Sequence, residues 1–326
     1  MGLRGGIDLG GTKVEAIVVN DDDYAVRGQS RCATPSEGGP AAIVKTMVSA
    51  LTEAAKAAGT TPSELAGVGV GAPGVVDMDA GTLARAGNLS GWDAPYPLVA
   101  ALGEQFGCSV ALGNDVEVAV QAELELGVGR GVDSFIGVFW GTGIGGGVVL
   151  GGKMWHGRGA AGEIGHIVVK RGGARCTCGR LGCMEAYAGR RAMELRARRL
   201  HERGRSTDLF KIMRERDREA LSSGVWARAL EHGDELAIEL IDRAVRALGA
   251  GVASVVNVLD VELVVLGGGL GLRFGAPMLA RLTEAMQPHL YNDDRPPQMA
   301  LAALGDLGGA TGAALLSAHS SPARAP

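Results

Sequence analysis

Residues 7–19 of the chain read IDLGGTKVEAIVV, and they set the pattern of the fold. Two β-rich runs flank the glycine turn 10–13, an arrangement that predicts a β-hairpin. A second unit of this kind occurs in the other half of the chain, where residues 141–147 read GTGIGGG between two further strand-like runs. Each half therefore opens with a hairpin that carries a glycine turn, and this repetition predicts two related lobes.

The rest of the pattern indicates the α/β class, because strands, hairpins and helices interleave. The predicted helices cover residues 40–58, 97–106, 116–126, 185–203, 208–220, 234–258, 276–288 and 308–318. The predicted strands, besides the first hairpin, cover residues 68–70, 109–112, 135–140, 147–150, 263–266 and 299–304. We predict a small lobe of residues 1–116 plus 305–326, a large lobe of residues 117–304, and a ligand-binding cleft between them. The tail 320–326 is expected to be disordered.

Composition excludes several classes of protein. A chain of 326 residues is long enough for two hydrophobic cores. Its net charge of -4 and the lack of a long basic stripe argue against a nucleic-acid surface. No apolar stretch reaches the roughly 18 residues that a membrane span needs, and the start at Met1 leads directly into a strand without room for a signal peptide. We therefore expect a cytoplasmic protein that binds neither nucleic acid nor membranes.

Three glycine turns follow predicted strands and indicate a phosphate-bearing ligand. Glycine accounts for 53 of 326 residues, about twice its usual share of ~7%. Backbone N–H groups in such turns form nests that bind anions, and the carboxylate of Asp8 could hold Mg²⁺ through water. Together the turns would suit a nucleoside triphosphate, with the third turn beside the adenosine. The predicted nucleotide-binding residues are Asp8, Gly10, Gly11, Thr12, Lys13, Gly141, Thr142, Gly143, Gly267, Gly268 and Gly269.

Each turn also has a simpler interpretation. The first could be a plain tight hairpin, and the third could be the lead-in to a helix. The pattern G-x-G-x-x-G occurs at 141–146 and at 69–74, but a strand and not a helix follows the first, and the second contains Pro73. A dinucleotide fingerprint must open a helix, so a nicotinamide dehydrogenase is a disfavoured alternative.

A second group of polar residues could bind and activate a hydroxyl acceptor. Asn114 and Asp115 end a predicted strand and open a helix, where Asp115 could accept the proton of the attacking hydroxyl. The alternative is that Asp115 is only a helix N-cap. Glu163, His166 and Glu185 supply groups that can hydrogen-bond vicinal hydroxyls, or they are ordinary surface charges.

A cysteine cluster indicates a metal site. His166, Cys176, Cys178 and Cys183 form the pattern H-x9-C-x-C-x4-C. In a reducing compartment, crowded cysteines indicate metal ligands before a disulfide. Three thiolates and one imidazole are the ligand set of a closed, structural zinc site, and the alternative is a group of unligated cysteines.

These motifs resemble the ROK family of sugar kinases, and within it the bacterial glucokinases. The resemblance covers nearly the whole chain and is most specific over 141–185. Its motifs lie at residues 8–13, 71–74, 88–92, 114–115, 141–147, 162–166, 176–185 and 267–269.

The resemblance implies an actin-like (ribonuclease-H-like) two-lobe kinase fold with a central cleft, and an enzyme of carbohydrate metabolism and glycolysis. It implies ATP-dependent phosphorylation of a hexose, glucose preferred, at the 6-hydroxyl, with Mg²⁺ and a structural Zn²⁺. Asp115 would be the base, and His166 would use one ring nitrogen for zinc and the other for the sugar. The sugar would contact Asn88, Asn114, Asp115, Glu163, His166 and Glu185. We also expect a homodimer.

Two departures from the family pattern bear on substrate preference. Val116 and Glu117 follow Asn-Asp where the family usually has Ala-Asn, and Gly189 stands where a serine is common. The alternatives are a kinase for fructose, mannose or an N-acetylated amino sugar, or a sugar-sensing protein without catalysis.

Overall fold

The computed structural model describes residues 2–87 and 89–319, which form two compact units. The first unit runs to Gly127 and resumes at Asp306, and the second covers Val128–Gly305. The sequence-based boundary after residue 116 assigned the next helix to the second lobe. The structure places that helix in the first unit, because it packs against the last helix of the chain. Asn88 and the tail 320–326 lie outside the described residues.

The elements of both units follow in chain order. The first unit begins with β1 (Leu3–Leu9), β2 (Lys13–Asn20), β3 (Val26–Ala33), α1 (Gly39–Ala57), β4 (Val68–Ala72), β5 (Val75–Asp77), β6 (Thr82–Ala84), α2 (Leu98–Phe106), β7 (Val110–Asn114) and α3 (Asp115–Glu125). The second unit comprises β8 (Phe135–Trp140), β9 (Ile144–Leu150), β10 (Lys153–Met154), α4 (Glu185–Ala188), α5 (Arg190–Glu202), α6 (Leu209–Glu215), α7 (Ser223–Glu231), α8 (Glu235–Leu259), β11 (Leu263–Gly267), α9 (Gly268–Phe274), α10 (Ala276–Met286) and β12 (Gln298–Leu301). The chain then returns to the first unit with α11 (Gly308–His319).

The main sheets of the two units have the same topology. In the first, the strand order is β3-β2-β1-β4-β7, with β1 antiparallel to β2 and parallel to β4. In the second, the order is β10-β9-β8-β11-β12, with β8 antiparallel to β9 and parallel to β11. Each unit therefore repeats one arrangement, and the predicted α/β class is confirmed.

Strand β2 shows how the sheet of the first unit is buried on both faces. Ile17 and Val19 pack against the small residue Ala310 of α11. The intervening Val18 belongs to the core on the opposite face, with Met47 of α1. A strand covered on both faces reads as a nearly continuous apolar run, which is why the first hairpin stands out in the sequence.

The core of the second unit forms around the long helix α8. Its apolar residues recur every three or four positions, and Leu240, Ala244 and Leu248 are all buried. Trp140 at the end of β8 is fully buried, and its indole N–H donates to the carbonyl of Ala188 at 2.7 Å. This bond fixes the end of β8 against α4, next to the glycine turn 141–143.

Several elements differ from the sequence-based expectation. The helix predicted at 185–203 is interrupted at Gly189, whose extended ψ of 132° separates α4 from α5. The helix predicted at 208–220 ends at Glu215, and the strand predicted at 299–304 is Gln298–Leu301. Elements that were not predicted are β3, β5, β6, β10, α7 and α9. None of the helices within 2–87 and 89–319 is both long enough and apolar enough to cross a membrane.

Candidate active site

In the first unit, predicted site residues lie at one edge of the sheet. Strands β1, β4 and β7 run parallel, and Asp8 pairs with Gly71, which in turn pairs with Gly113. Neighbouring strands are about 4.8 Å apart, so Asp8 lies roughly 10 Å from the end of β7. The carboxylate of Asp8 and the Asn114–Asp115 pair are therefore brought to the same sheet edge.

The turn between β1 and β2 presents backbone donors. The hydroxyl of Thr34 donates to the carbonyl of Gly10 at 2.7 Å, and its backbone N–H donates to the carbonyl of Thr12 at 3.2 Å. Within the part of the chain that the structure describes, the N–H groups of Gly11 and Thr12 have no protein acceptor. Two N–H groups held in a fixed turn fit the predicted anion nest.

Two carboxylates, those of Asp8 and Glu15, interact with the basic side chains beside this turn. Burial raises the pKa of Asp8 from 3.8 to about 6, and the Lys13 ammonium opposes this shift. Lys13 also lies 3.3 Å from the buried carboxylate of Glu15, which forms a further ion pair with Arg31. Lys13 is thus held next to the turn by Glu15.

The start of α3 shows which residue is the N-cap of this helix, a point that the sequence left open. Asn114 is the N-cap, since its side-chain oxygen accepts hydrogen bonds from the N–H groups of Val116 at 3.0 Å and Glu117 at 3.2 Å. Asp115 occupies the first helical position, and its carboxylate accepts from the same Val116 N–H at 3.0 Å. The alternative that Asp115 is the N-cap is therefore wrong.

In the second unit, two glycine turns share one sheet edge. Strands β8 and β11 are parallel neighbours, with Gly267 paired to Phe139, so the turns 141–143 and 267–269 follow adjacent strand ends. Gly268 has φ of 77°, and a Cβ there would lie 2.6 Å from the carbonyl oxygen of Trp140. The third turn is also the lead-in to α9, as the simpler interpretation expected.

Glu185 connects the turn 141–143 with the cysteine segment. One of its carboxylate oxygens accepts from the N–H of Ile144 at 3.0 Å, and the other accepts from the Thr177 hydroxyl at 3.1 Å. A Cβ at Gly143 would come within 2.3 Å of the Glu185 carboxylate, so a side chain there would displace that carboxylate. The site therefore depends on a close approach between these two residues.

His166 presents its two ring nitrogens to different neighbours. Nε2 lies 3.7 Å from a carboxylate oxygen of Glu163, and Nδ1 lies 3.7 Å from the sulfur of Cys176. The imidazole is therefore placed between the Glu163 carboxylate and the cysteines, and the Glu185 carboxylate lies 3.6 Å from the sulfur of Cys176.

The four predicted metal ligands converge. One ligand atom from each of His166, Cys176, Cys178 and Cys183 lies within 4.8 Å of all the others. The sulfurs of Cys178 and Cys183 are 3.7 Å apart, close to the roughly 3.8 Å between two thiolates bound to one tetrahedral zinc. All three cysteines are free of disulfides, and burial raises the pKa of the Cys176 thiol to about 12. The cluster is compatible with zinc.

The ROK family model matches residues 4–320. The chain belongs to the ROK family. Glucokinase of Thermotoga maritima is 32% identical over 87% of this chain and 87% of its own. The N-acetylgalactosamine kinase AgaK of a Shewanella species is 32% identical over 95% of each chain.

A solved structure extends the match to the fold. The ROK family glucokinase of Streptomyces griseus, in complex with glucose and AMPPNP, is 31% identical, covers 98% of this chain and 100% of its own, and has a TM-score of 0.83. The predicted family and its actin-like fold are confirmed. The glucokinase relatives also support the prediction that this ROK protein is an enzyme of the sugar-kinase class.

One polar contact in this ROK chain was not anticipated. The Arg190 guanidinium donates to the Thr142 hydroxyl at 2.8 Å and to the carbonyl of Leu221 at 3.1 Å. Arg190 precedes a long basic stretch of α5 that reads as a solvated helix face. No signal in the sequence separates it from the arginines that follow, because its partners are distant along the chain.

Proposed function

We propose that this ROK protein transfers the γ-phosphate of MgATP to the 6-hydroxyl of a hexose, with glucose preferred and Asp115 as general base. The observation that carries the proposal is the start of α3, where Asn114 supplies the cap and Asp115 follows it. Because Asn114 already caps the helix, the Asp115 carboxylate at the end of β7 can serve as the base. The glucokinase relatives support the same reaction.

Asp115 would accept the proton of the sugar hydroxyl as phosphoryl transfer proceeds. The transition state is loose, so positioning and charge stabilisation contribute more than the strength of the base. The N–H groups of Gly11 and Thr12 and of the turn 141–143 would bind phosphate oxygens. Asp8 would hold Mg²⁺ through water. The ion would neutralise part of the negative charge of the phosphates.

The sugar would be held by hydroxyl-reading side chains, namely Asn88, Asn114, Asp115, Glu163, His166 and Glu185. A structural zinc held by His166, Cys176, Cys178 and Cys183 would supply no chemical step. It would fix the His166 ring through one nitrogen and leave the other as an oriented donor. In the structure, Nδ1 of His166 lies near Cys176 and Nε2 lies near Glu163. This arrangement supports one ring nitrogen for the metal and the other for the sugar.

An N-acetylated amino sugar is the alternative substrate class, since the N-acetylgalactosamine kinase relative is as similar as the glucokinases. A coupled ADP-release screen over glucose, mannose, fructose, N-acetylglucosamine, N-acetylmannosamine and N-acetylgalactosamine tests both classes. We expect the highest kcat/KM for glucose. Faster turnover of an N-acetylated sugar would reject glucose preference but retain the kinase, whereas no ADP release with any sugar would favour a sensor without catalysis.

The raised pKa of Asp8 predicts a pH dependence. We expect kcat/KM for MgATP to rise with pH through an inflection near pH 6, because only the ionised Asp8 carboxylate binds hydrated Mg²⁺. Below that pH the group is protonated and the affinity for MgATP falls. The measurement is a pH–rate profile at saturating sugar. Asp8→Asn should lower the activity and remove the inflection, and an unchanged inflection in that variant would assign it to another group.

Glu185→Gln tests the hydroxyl-binding role. The amide keeps the shape, and its oxygen can still accept from the Ile144 N–H. The other acceptor oxygen becomes a donor, which leaves a buried hydroxyl poorly matched at a cost of about 1–3 kcal/mol. We expect the KM for glucose to rise roughly 5- to 150-fold, and the KM for ATP to change much less. The matched control is Glu202→Gln, an exposed carboxylate at the end of α5. Equal shifts in both KM values would contradict a role confined to the sugar.

A further inference from the structure

The glycine turn 141–143 is attached to the start of α5. The backbone N–H groups of Arg190 and Arg191 donate to the carbonyls of Gly141 at 3.2 Å and Thr142 at 3.1 Å. These bonds fix the path of the turn with main-chain atoms alone. The Arg190 side chain adds one further bond, from Nη2 to the Thr142 hydroxyl at 2.8 Å. That bond therefore serves the hydroxyl and is not needed to hold the backbone.

The chemistry of the two groups sets the direction of this bond. A guanidinium carries only donors, so the Thr142 oxygen must accept. The hydroxyl hydrogen is then directed elsewhere, and Thr142 is exposed. Across the described ranges 2–87 and 89–319, Thr142 Oγ1 donates to no protein acceptor. Its hydrogen is available to an acceptor from outside the chain.

The positive charge of Arg190 also favours an anion beside the turn 141–143. Burial lowers the pKa of Arg190, and the nearby carboxylate of Glu194 opposes that shift. In the described part of the chain no carboxylate forms an ion pair with the Arg190 guanidinium within 4.0 Å. A positive charge held next to a glycine turn without a direct counter-ion raises the local concentration of anions.

From these contacts we propose that Arg190 is a positioning residue, which holds the Thr142 hydroxyl as a hydrogen-bond donor to a phosphate group of the nucleotide. The inference deepens the proposed function and rests on it, because it assigns the turn 141–143 to the phosphate donor. Arg190 acts through Thr142 and on the donor substrate, not on the sugar.

The test is a double-mutant cycle with Arg190→Gln, Thr142→Val and the combined variant. The readouts are the Kd of AMPPNP by calorimetry, the KM values for MgATP and glucose, and the melting temperature. We expect each single variant to raise the Kd and the KM for nucleotide about tenfold, on the scale of one charge-assisted hydrogen bond, with the glucose KM within about twofold of wild type. The combined variant should be no weaker than the worse single one, because both changes remove the same interaction.

Two further variants keep the result interpretable. Thr142→Ser retains the hydroxyl and should bind AMPPNP like wild type. Arg196→Gln removes an exposed arginine of the same helix and should change nothing. Thr142 is exposed, so its variants still test the contribution of the hydroxyl, on which the role of Arg190 depends, if Arg190→Gln proves unstable.

Three results would overturn the inference: an unchanged AMPPNP Kd in Arg190→Gln, an additive loss of about 100-fold in the combined variant, or an equal loss in Arg196→Gln. Failure of the proposed function looks different. In that case wild type would bind AMPPNP but phosphorylate no sugar, and the binding cycle would still decide the role of Arg190.

Discussion

Asp115→Asn is expected to lower kcat at least about 100-fold while the fold and the affinity for glucose stay close to wild type. General-base catalysis contributes about 10²–10⁴ to a rate, and an amide cannot accept the proton. The helix should not suffer, because Asn114 supplies the N-cap and the new amide oxygen can still accept from the Val116 N–H. Steady-state kinetics and calorimetric glucose binding measure the two halves of this prediction.

Glu117→Gln is the matched control, since it removes a neighbouring carboxylate in the first turn of the same helix. It should change kcat by no more than a few-fold. If the purified Asp115→Asn protein turned over at half the wild-type rate, Asp115 would be a structural residue and another base would be required.

The second large effect concerns the cysteine cluster. Cys178→Ser is expected to lower the zinc content, the melting temperature and the affinity for glucose, with the affinity for the metal falling at least about 10- to 100-fold. The losses of zinc and of glucose affinity should appear together, because His166 is proposed both to ligate the metal and to contact the sugar. Elemental analysis, thermal unfolding and glucose calorimetry give the three readouts.

Cys32→Ser is the control for this change, because Cys32 lies in the first unit, whereas the four converging ligands all belong to the second. It should retain the zinc and the affinity for glucose. If wild-type protein prepared without chelator contained no zinc, the metal assignment would be wrong.

The parts of the fold that the sequence predicted are those with a local signal. The hairpin β1–β2 is visible because its strands are buried on both faces and meet at a glycine turn. Strand β3 was not predicted because seven of its eight residues are partly or fully exposed and four of these are polar, which leaves no apolar run. The Cys₃His set was recognisable because three of its ligands lie within eight consecutive positions.

The parts of the site that the sequence could not predict depend on tertiary packing. Whether Asn114 or Asp115 caps α3 depends on a shift of one residue in the helix start, which sequence patterns do not resolve. The bonds from Glu185 to Ile144 and from Arg190 to Thr142 join residues 41 and 48 positions apart. Both contacts require the ends of β8 and β9 to be packed against α4 and α5, so no local sequence motif predicts them.

Transfer of a phosphoryl group from MgATP to a hexose is tested most directly by identifying both products of one reaction. Phosphorus NMR of purified protein incubated with MgATP and glucose resolves ADP, the sugar phosphate and inorganic phosphate. We predict ADP and glucose 6-phosphate in equal amounts, with neither formed when Asp115→Asn replaces the wild type over the same interval. ADP accompanied by inorganic phosphate and no sugar phosphate would contradict the proposed function.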